Sequence, residues 1–412
     1  MSVADKQGPH AHLLERRVDF PPLETFTWLQ NGGVSLVPAP VHERHVALTT
    51  ESFRRGPLHI AFPDEEYPRR GASRARVARF LGADEGEIAV VRGVSEAFAH
   101  VMRGIDWQPG DELVTTADEE AALLAPVFQL AKERSVRVRQ LEVRPGGDAD
   151  SILAQATDML GPRTRLLAFS HVTTDLGVRL PATELCRLAD ERTIPSFVDL
   201  GHSAGAVPVD LHAMGCWYAG ALSYKWMLAP YAAGALYVRA DHLDDLPILY
   251  AGGRSHAELD RPGGDVLLHA DTRRFEYGPW AWPLIHAWAA SLDYLEQLQV
   301  ESVFERCAWL ASRLKGALDR IDGVEVFTPM QPERSANLVA FGVSGWDGES
   351  LTRHLRSEHD IVVRPLADEP DGVRASVAFF TTVAEVDFLV DTIAGLPSMP
   401  PLVVAPPSDA PT

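Results

Sequence analysis

Two residues stand out for the chemistry their surroundings allow: Lys225, in Ser223-Tyr224-Lys225-Trp226, and Asp199, in Val198-Asp199-Leu200-Gly201-His202. Each closes a short apolar run of strand type, 194–200 for the aspartate and 217–222 for the lysine. Polar groups at the carboxyl ends of parallel strands project into the crevice where such sheets bind ligands. A lysine placed there can form a Schiff base with an aldehyde cofactor, and a carboxylate can keep a pyridinium nitrogen protonated. Taken singly, a lysine after a strand is ordinarily a solvated charge, and an aspartate there ordinarily caps a helix. The spacing of the pair and the Trp226 that follows the lysine set them apart.

The elements that must hold them follow an α/β pattern. Apolar runs of strand length lie at 87–91, 112–116, 136–143, 165–172, 194–200, 217–222 and 233–239. Amphipathic stretches at 95–103, 119–133, 151–160 and 181–191 separate them. Continuous apolar runs alternating with helices predict a mostly parallel sheet covered on both faces. After residue 239 a Gly-rich stretch, 251–265, leads to helices at 282–297 and 301–321. Strands at 337–343, 361–366 and 373–379 and helices at 349–357 and 383–393 follow. The expected division is a flexible N-terminal arm (1–20), a large α/β domain (21–265), interface helices with a smaller α+β domain (266–396), and a Pro-rich tail (397–412). The N-terminal segment could also pack on the small domain.

Composition narrows the class. With 46% hydrophobic and 23% charged residues the chain is of ordinary globular type, and its net charge of −19 argues against a nucleic-acid partner. No run approaches the ~18 apolar residues of a membrane span. Three widely spaced cysteines, Cys186, Cys216 and Cys307, predict a reduced, cytoplasmic setting without disulfides. The 15 histidines show no HExxH spacing, so no metal is expected.

The segment 166–239 resembles the class V aminotransferase group of fold-type I pyridoxal-phosphate enzymes, and the resemblance extends over about 20–393. That group includes cysteine desulfurases, isopenicillin N epimerase-like proteins, kynureninase-like enzymes and C–S lyases. The resemblance implies a large domain with a mostly parallel sheet, a smaller C-terminal α+β domain, pyridoxal 5'-phosphate as cofactor and a homodimer with shared sites. Lys225 then matches the Schiff-base lysine, Asp199 the carboxylate on the ring nitrogen, and His202 the group at the ring hydroxyl. Gly93-Val94-Ser95 matches the phosphate loop, where backbone N–H groups at a helix N-terminus hold an anion. Thr174 falls at the ring face, Arg374 at the grip on the substrate α-carboxylate, and Asn31-Gly32-Gly33 at the loop that closes over substrate. The stretch 275–288, rich in Trp, is the expected dimer contact.

Departures from the pattern are as informative. Glu120, in Asp118-Glu119-Glu120-Ala121, occupies the place of the aromatic group that stacks on the ring. Tyr224 replaces a histidine before the lysine, a phenol still able to donate to phosphate. Pro279 replaces a threonine that relatives contribute across the dimer. The segment 365–370, after Ile361-Val362-Val363-Arg364, carries no cysteine, so cysteine desulfuration through a protein thiolate is expected to be absent. The expected reaction is β-elimination from a cysteine S-conjugate, possible in natural-product (antibiotic) biosynthesis. Epimerisation, transamination, and decarboxylating or oxidative deaminating routes are the alternatives. A cofactor-binding protein without turnover is disfavoured, because it has no need of Lys225, Asp199, His202 and Arg374 together.

Overall fold

The computed structural model describes residues 7–146 and 148–396. The expected tail at 397–412 and the first six residues of the expected arm lie outside the described residues. Seven strands form the central sheet: β1 (Ile88–Val91), β2 (Glu112–Thr116), β3 (Arg137–Leu141), β4 (Thr164–Ser170), β5 (Ser196–Asp199), β6 (Tyr218–Leu222) and β7 (Gly234–Val238). Their spatial order is β1-β7-β6-β5-β4-β2-β3. Pairing is parallel from β6 through β3, while β7 runs antiparallel to both of its neighbours. Strands β1, β2, β5, β6 and β7 are buried at every position, as a sheet covered on both faces requires. The helices Val94–Gly104, Ala121–Arg134, Ala149–Met159 and Ala182–Asp190 lie where periodicity places them, within two residues at either end.

A second, antiparallel sheet is made by β8 (Val324–Val326), β9 (Leu338–Val343), β10 (Arg364–Pro365) and β11 (Val373–Ser376), in the order β8-β9-β11-β10. Its register sets Arg364 directly opposite Arg374. The N-terminal chain joins this end of the molecule. Thr27–Trp28 pairs in parallel with Ile361–Val362, and Gln30 bridges Ser376.

The segment 7–20, expected as a flexible arm, is instead packed. Leu13 and Phe20 are buried, and the Phe20 ring lies 4.4 Å from that of Phe380. Arg306, itself fully buried, donates to the Gln7 and Pro9 carbonyls at 3.0 and 3.1 Å. A buried guanidinium needs such acceptors, so a polar-looking segment is fixed by two apolar anchors and one cation. Helices Ala39–Arg55 and Pro63–Leu81 have no counterpart in the sequence reading. The first buries only Val41 and Leu48, too few to show a periodic apolar face. Both pack against helix Trp282–Gln297. Trp282 and Trp288 are buried within this chain, as is Phe275 in the core beside helix Val94–Gly104, while 277–281 of the expected dimer-contact stretch is at least partly exposed. Among the described residues no helix is long and apolar enough to cross a membrane.

Candidate active site

The loops leaving the carboxyl ends of β1, β2, β5 and β6 converge on one cavity of about 630 Å³. Its wall includes Gly93, Ser95, Glu120, Asp199, Tyr224 and Lys225, six of the residues singled out in the sequence. The approach of the β1 loop depends on a glycine, because a Cβ on Gly234 of β7 would sit 2.6 Å from Gly93 Cα. From Gly93 the chain enters helix Val94–Gly104 with no side-chain cap, so its first N–H groups are available to an anion at the cavity.

Lys225 Nζ is buried at the centre. It donates to Glu120 Oε1 at 3.2 Å and lies 3.2 Å from His202 Nε2. The same Glu120 oxygen is 3.1 Å from His202 Nε2. Burial lowers the Lys225 pKa against the pull of Glu120 and Asp199. Burial also lowers His202 to about 3, aided by the Lys225 charge, which leaves the imidazole neutral. For Glu120, burial would raise the pKa, but the His202 hydrogen bond and the Lys225 charge outweigh it and hold the carboxylate well below its usual range. Asp199 accepts from Gly201 N at 2.6 Å, and burial raises it to about 6. A Cβ at Gly201 would come within 2.9 Å of Asp199 Oδ1, so the turn after β5 must be glycine to leave the carboxylate in place.

Arg374 lies behind the cavity wall, fully buried, and donates from Nη1 to the Thr174 carbonyl. Burial and the nearby Arg364 charge lower it to about 10, so it remains a cation at neutral pH. Asn31 does not serve the cavity as expected. Its amide donates to Ser376 O at 2.8 Å and its Oδ1 accepts from Ser35, so both ends are taken by the chain and Gly33 forms the wall instead. Pro279 lies in a neighbouring cavity with Trp280 and Trp282. The sequence reading missed Arg364, which lines the cavity 3.8 Å from Glu120 Oε1 and is held by Asp175 at 3.1 Å. No signal in the sequence marked it, because its place opposite Arg374 depends on the register of two short strands. Arg92, Glu96 and Tyr277, joined by hydrogen bonds at the cavity rim, were also missed.

Beside the site, Glu119 is buried and accepts from Thr116 Oγ1 at 2.7 Å, from Ser170 N at 2.9 Å and from Ser170 Oγ. Burial raises its pKa from 4.5 to about 8 despite these bonds. The folded chain therefore holds a proton that the unfolded chain releases, and stability falls as pH rises through that window. Glu119→Gln, which cannot ionise, is expected to remove on the order of 2 kcal/mol or more of this loss. Thermal melts of both proteins between about pH 5 and about pH 8 measure it: the parent declines more steeply than the variant.

The model of the family Aminotransferase class-V matches residues 66–389. The chain belongs to that family. Among its relatives, an isopenicillin N epimerase from Amycolatopsis lactamdurans is 30% identical over 90% of this chain and 95% of its own. A cysteine desulfurase from Haloferax volcanii is 30% identical, covering 77% of this chain and 76% of its own. Among solved structures, the cystine C-S lyase C-DES in complex with its reaction product cysteine persulfide superposes with a TM-score of 0.83 at 27% identity, over 91% of this chain and 99% of the other. The fold is that of the fold-type I family, and the chain is a pyridoxal-phosphate-dependent enzyme acting on an amino acid.

These relatives correct one expectation. Cysteine desulfurase activity was set aside because 365–370 lacks a cysteine, yet a family member named for that activity matches most of this chain. In C-DES the persulfide is a small-molecule product, so sulfur chemistry in the family does not always end on a protein thiol.

The chain's own loose ends fit the cofactor. Thr174 Oγ1, His202 Nδ1, and Arg374 Nε and Nη2 are buried without a hydrogen-bond partner among the described residues. Buried polar groups are rarely left so. Together with the uncapped helix at Gly93 and the Asp199 carboxylate on the cavity wall, they suit an anionic, heteroaromatic aldehyde and a carboxylate-bearing substrate.

Proposed function

We propose that the protein cleaves the Cβ–S bond of a cysteine-derived amino acid. The observation that carries this reading is the match to a cystine C-S lyase over nearly all of both chains, joined to a buried lysine at a cavity of about 630 Å³, which has room for the cofactor and an amino acid. Pyridoxal phosphate, when bound, supplies the electron sink that acidifies the substrate Cα–H.

The chain's residues divide the remaining work. The N–H groups at 93–95 and the Ser95 hydroxyl hold phosphate. The Asp199 carboxylate keeps the pyridine nitrogen protonated, and neutral His202 and the Thr174 hydroxyl orient the ring. Arg374 and Arg364, neighbours across the small sheet, receive the α-carboxylate. Lys225 Nζ takes the proton from Cα. The C–S electron pair then leaves with sulfur as a thiolate, and the resulting enamine hydrolyses to pyruvate and ammonia. The buried, reduced cysteines accord with a cytoplasmic enzyme, and a homodimer joined near Tyr277 and Pro279 is part of the same reading.

A second reading has its own observation, the epimerase relative covering 90% of this chain. Here Lys225 and a group on the opposite face would exchange the Cα proton without loss of sulfur. Incubation with cystine and with S-alkyl cysteines in deuterated water separates the two. Elimination is expected to give pyruvate, ammonia and thiol or persulfide in equal amounts. Deuterated, inverted amino acid without pyruvate would replace that reading with epimerisation.

A further inference from the structure

Glu120 stands where the family resemblance places a ring-stacking aromatic residue, and a carboxylate cannot do that work. The structure gives it another task. It is the N-cap residue of helix Ala121–Arg134, yet its side chain makes no cap hydrogen bond. Instead Oε1 accepts from Lys225 Nζ at 3.2 Å, lies 3.1 Å from His202 Nε2, and is 3.8 Å from Arg364 Nη1.

The other charged or titratable groups around the lysine nitrogen are Asp199 at the end of β5, His202 from the turn that follows, Tyr224 beside it in sequence, Arg364 from β10 and Arg374 from β11. Both arginines oppose a positive charge on that nitrogen. His202 is neutral, and Asp199 spends one oxygen on Gly201 N. Among the described residues, Glu120 is the carboxylate in direct contact with Lys225 Nζ.

We infer that Glu120 is the counter-carboxylate of Lys225, a positioning residue that keeps positive charge on the lysine nitrogen and so sets the pH at which that nitrogen gives up its proton. The inference stands on the cofactor assignment and is independent of which substrate bond breaks. An opposite charge at this distance raises a cation's pKa by roughly 1–3 units, and an aromatic residue in its place supplies no comparable charge.

The test is a pH titration of the visible absorbance of cofactor-loaded protein, since that band reports the protonation of the nitrogen joined to the cofactor. Glu120→Gln is expected to lower the midpoint by about one unit or more, while Glu120→Asp, which keeps the charge, titrates close to the parent. A loaded Gln variant with an unchanged midpoint overturns the inference. If the Gln protein does not load, the Asp protein decides. Loading with the parental midpoint supports a role for charge, and failure of both variants to load assigns the position to shape and overturns it.

Discussion

Lys225→Ala is expected to abolish the visible band of the Schiff base between Lys225 and the cofactor and to lower turnover by at least about 10³-fold. Two losses combine in this one substitution. The nitrogen that joins the cofactor to the chain disappears, and with it the base placed to take the Cα proton. The burial of Lys225 gives the substitution its size. Nζ is enclosed by Glu120, His202 and the turn at Gly201, whose Cβ position is 3.8 Å away. Among the described residues, it is the lysine on the wall of the cavity. Added amines are expected to restore a small part of the turnover and none of the covalent link. Turnover within a factor of ten of the parent would show that the proton is taken elsewhere.

Asp199→Asn is expected to leave the cofactor attached to Lys225 and to reduce kcat by roughly 10²–10³-fold, the usual effect of removing one preorganised charge from a reacting centre. The substitution preserves shape and the hydrogen bond from Gly201 N, but removes the charge that favours a protonated ring nitrogen. The free carboxyl is raised to about 6 by burial, and an adjacent cation brings it down. In the cofactor-free chain the carboxyl is therefore expected to protonate as pH falls toward 6, and in the loaded enzyme to remain ionised well below that. A bleached or blue-shifted band with normal turnover in the Asn variant would contradict this role; an intact attachment with slow turnover supports it.

Much of this site was legible before any fold was drawn, and the reason is geometric. In a parallel sheet the carboxyl end of each strand faces the crevice, so Asp199 and Lys225 were brought together by strand ends alone. Glu120 and His202 came from the family resemblance, and these two lie within 3.2 Å of Lys225 Nζ and of each other. What escaped notice depends on long-range packing. Asn31 looks like a substrate contact in sequence, but its amide is bound by Ser376, which sits 345 residues away in the chain. Arg364 enters the cavity only because β10 pairs with β11, a register that two short strands do not announce. The hairpin His256–Asp260 with Asp265–Leu268 is mostly exposed, so no apolar alternation marked it. The segment 7–20 is held by acceptors for Arg306, a demand visible only once that arginine is known to be buried.

The central claim, that this cavity works through a cofactor joined to Lys225, is tested most directly by borohydride reduction of the purified, cofactor-loaded protein followed by peptide mass mapping. The expected result is a single phosphopyridoxyl group on the peptide containing Lys225. An unmodified Lys225, or the same group found only on another lysine, would contradict it.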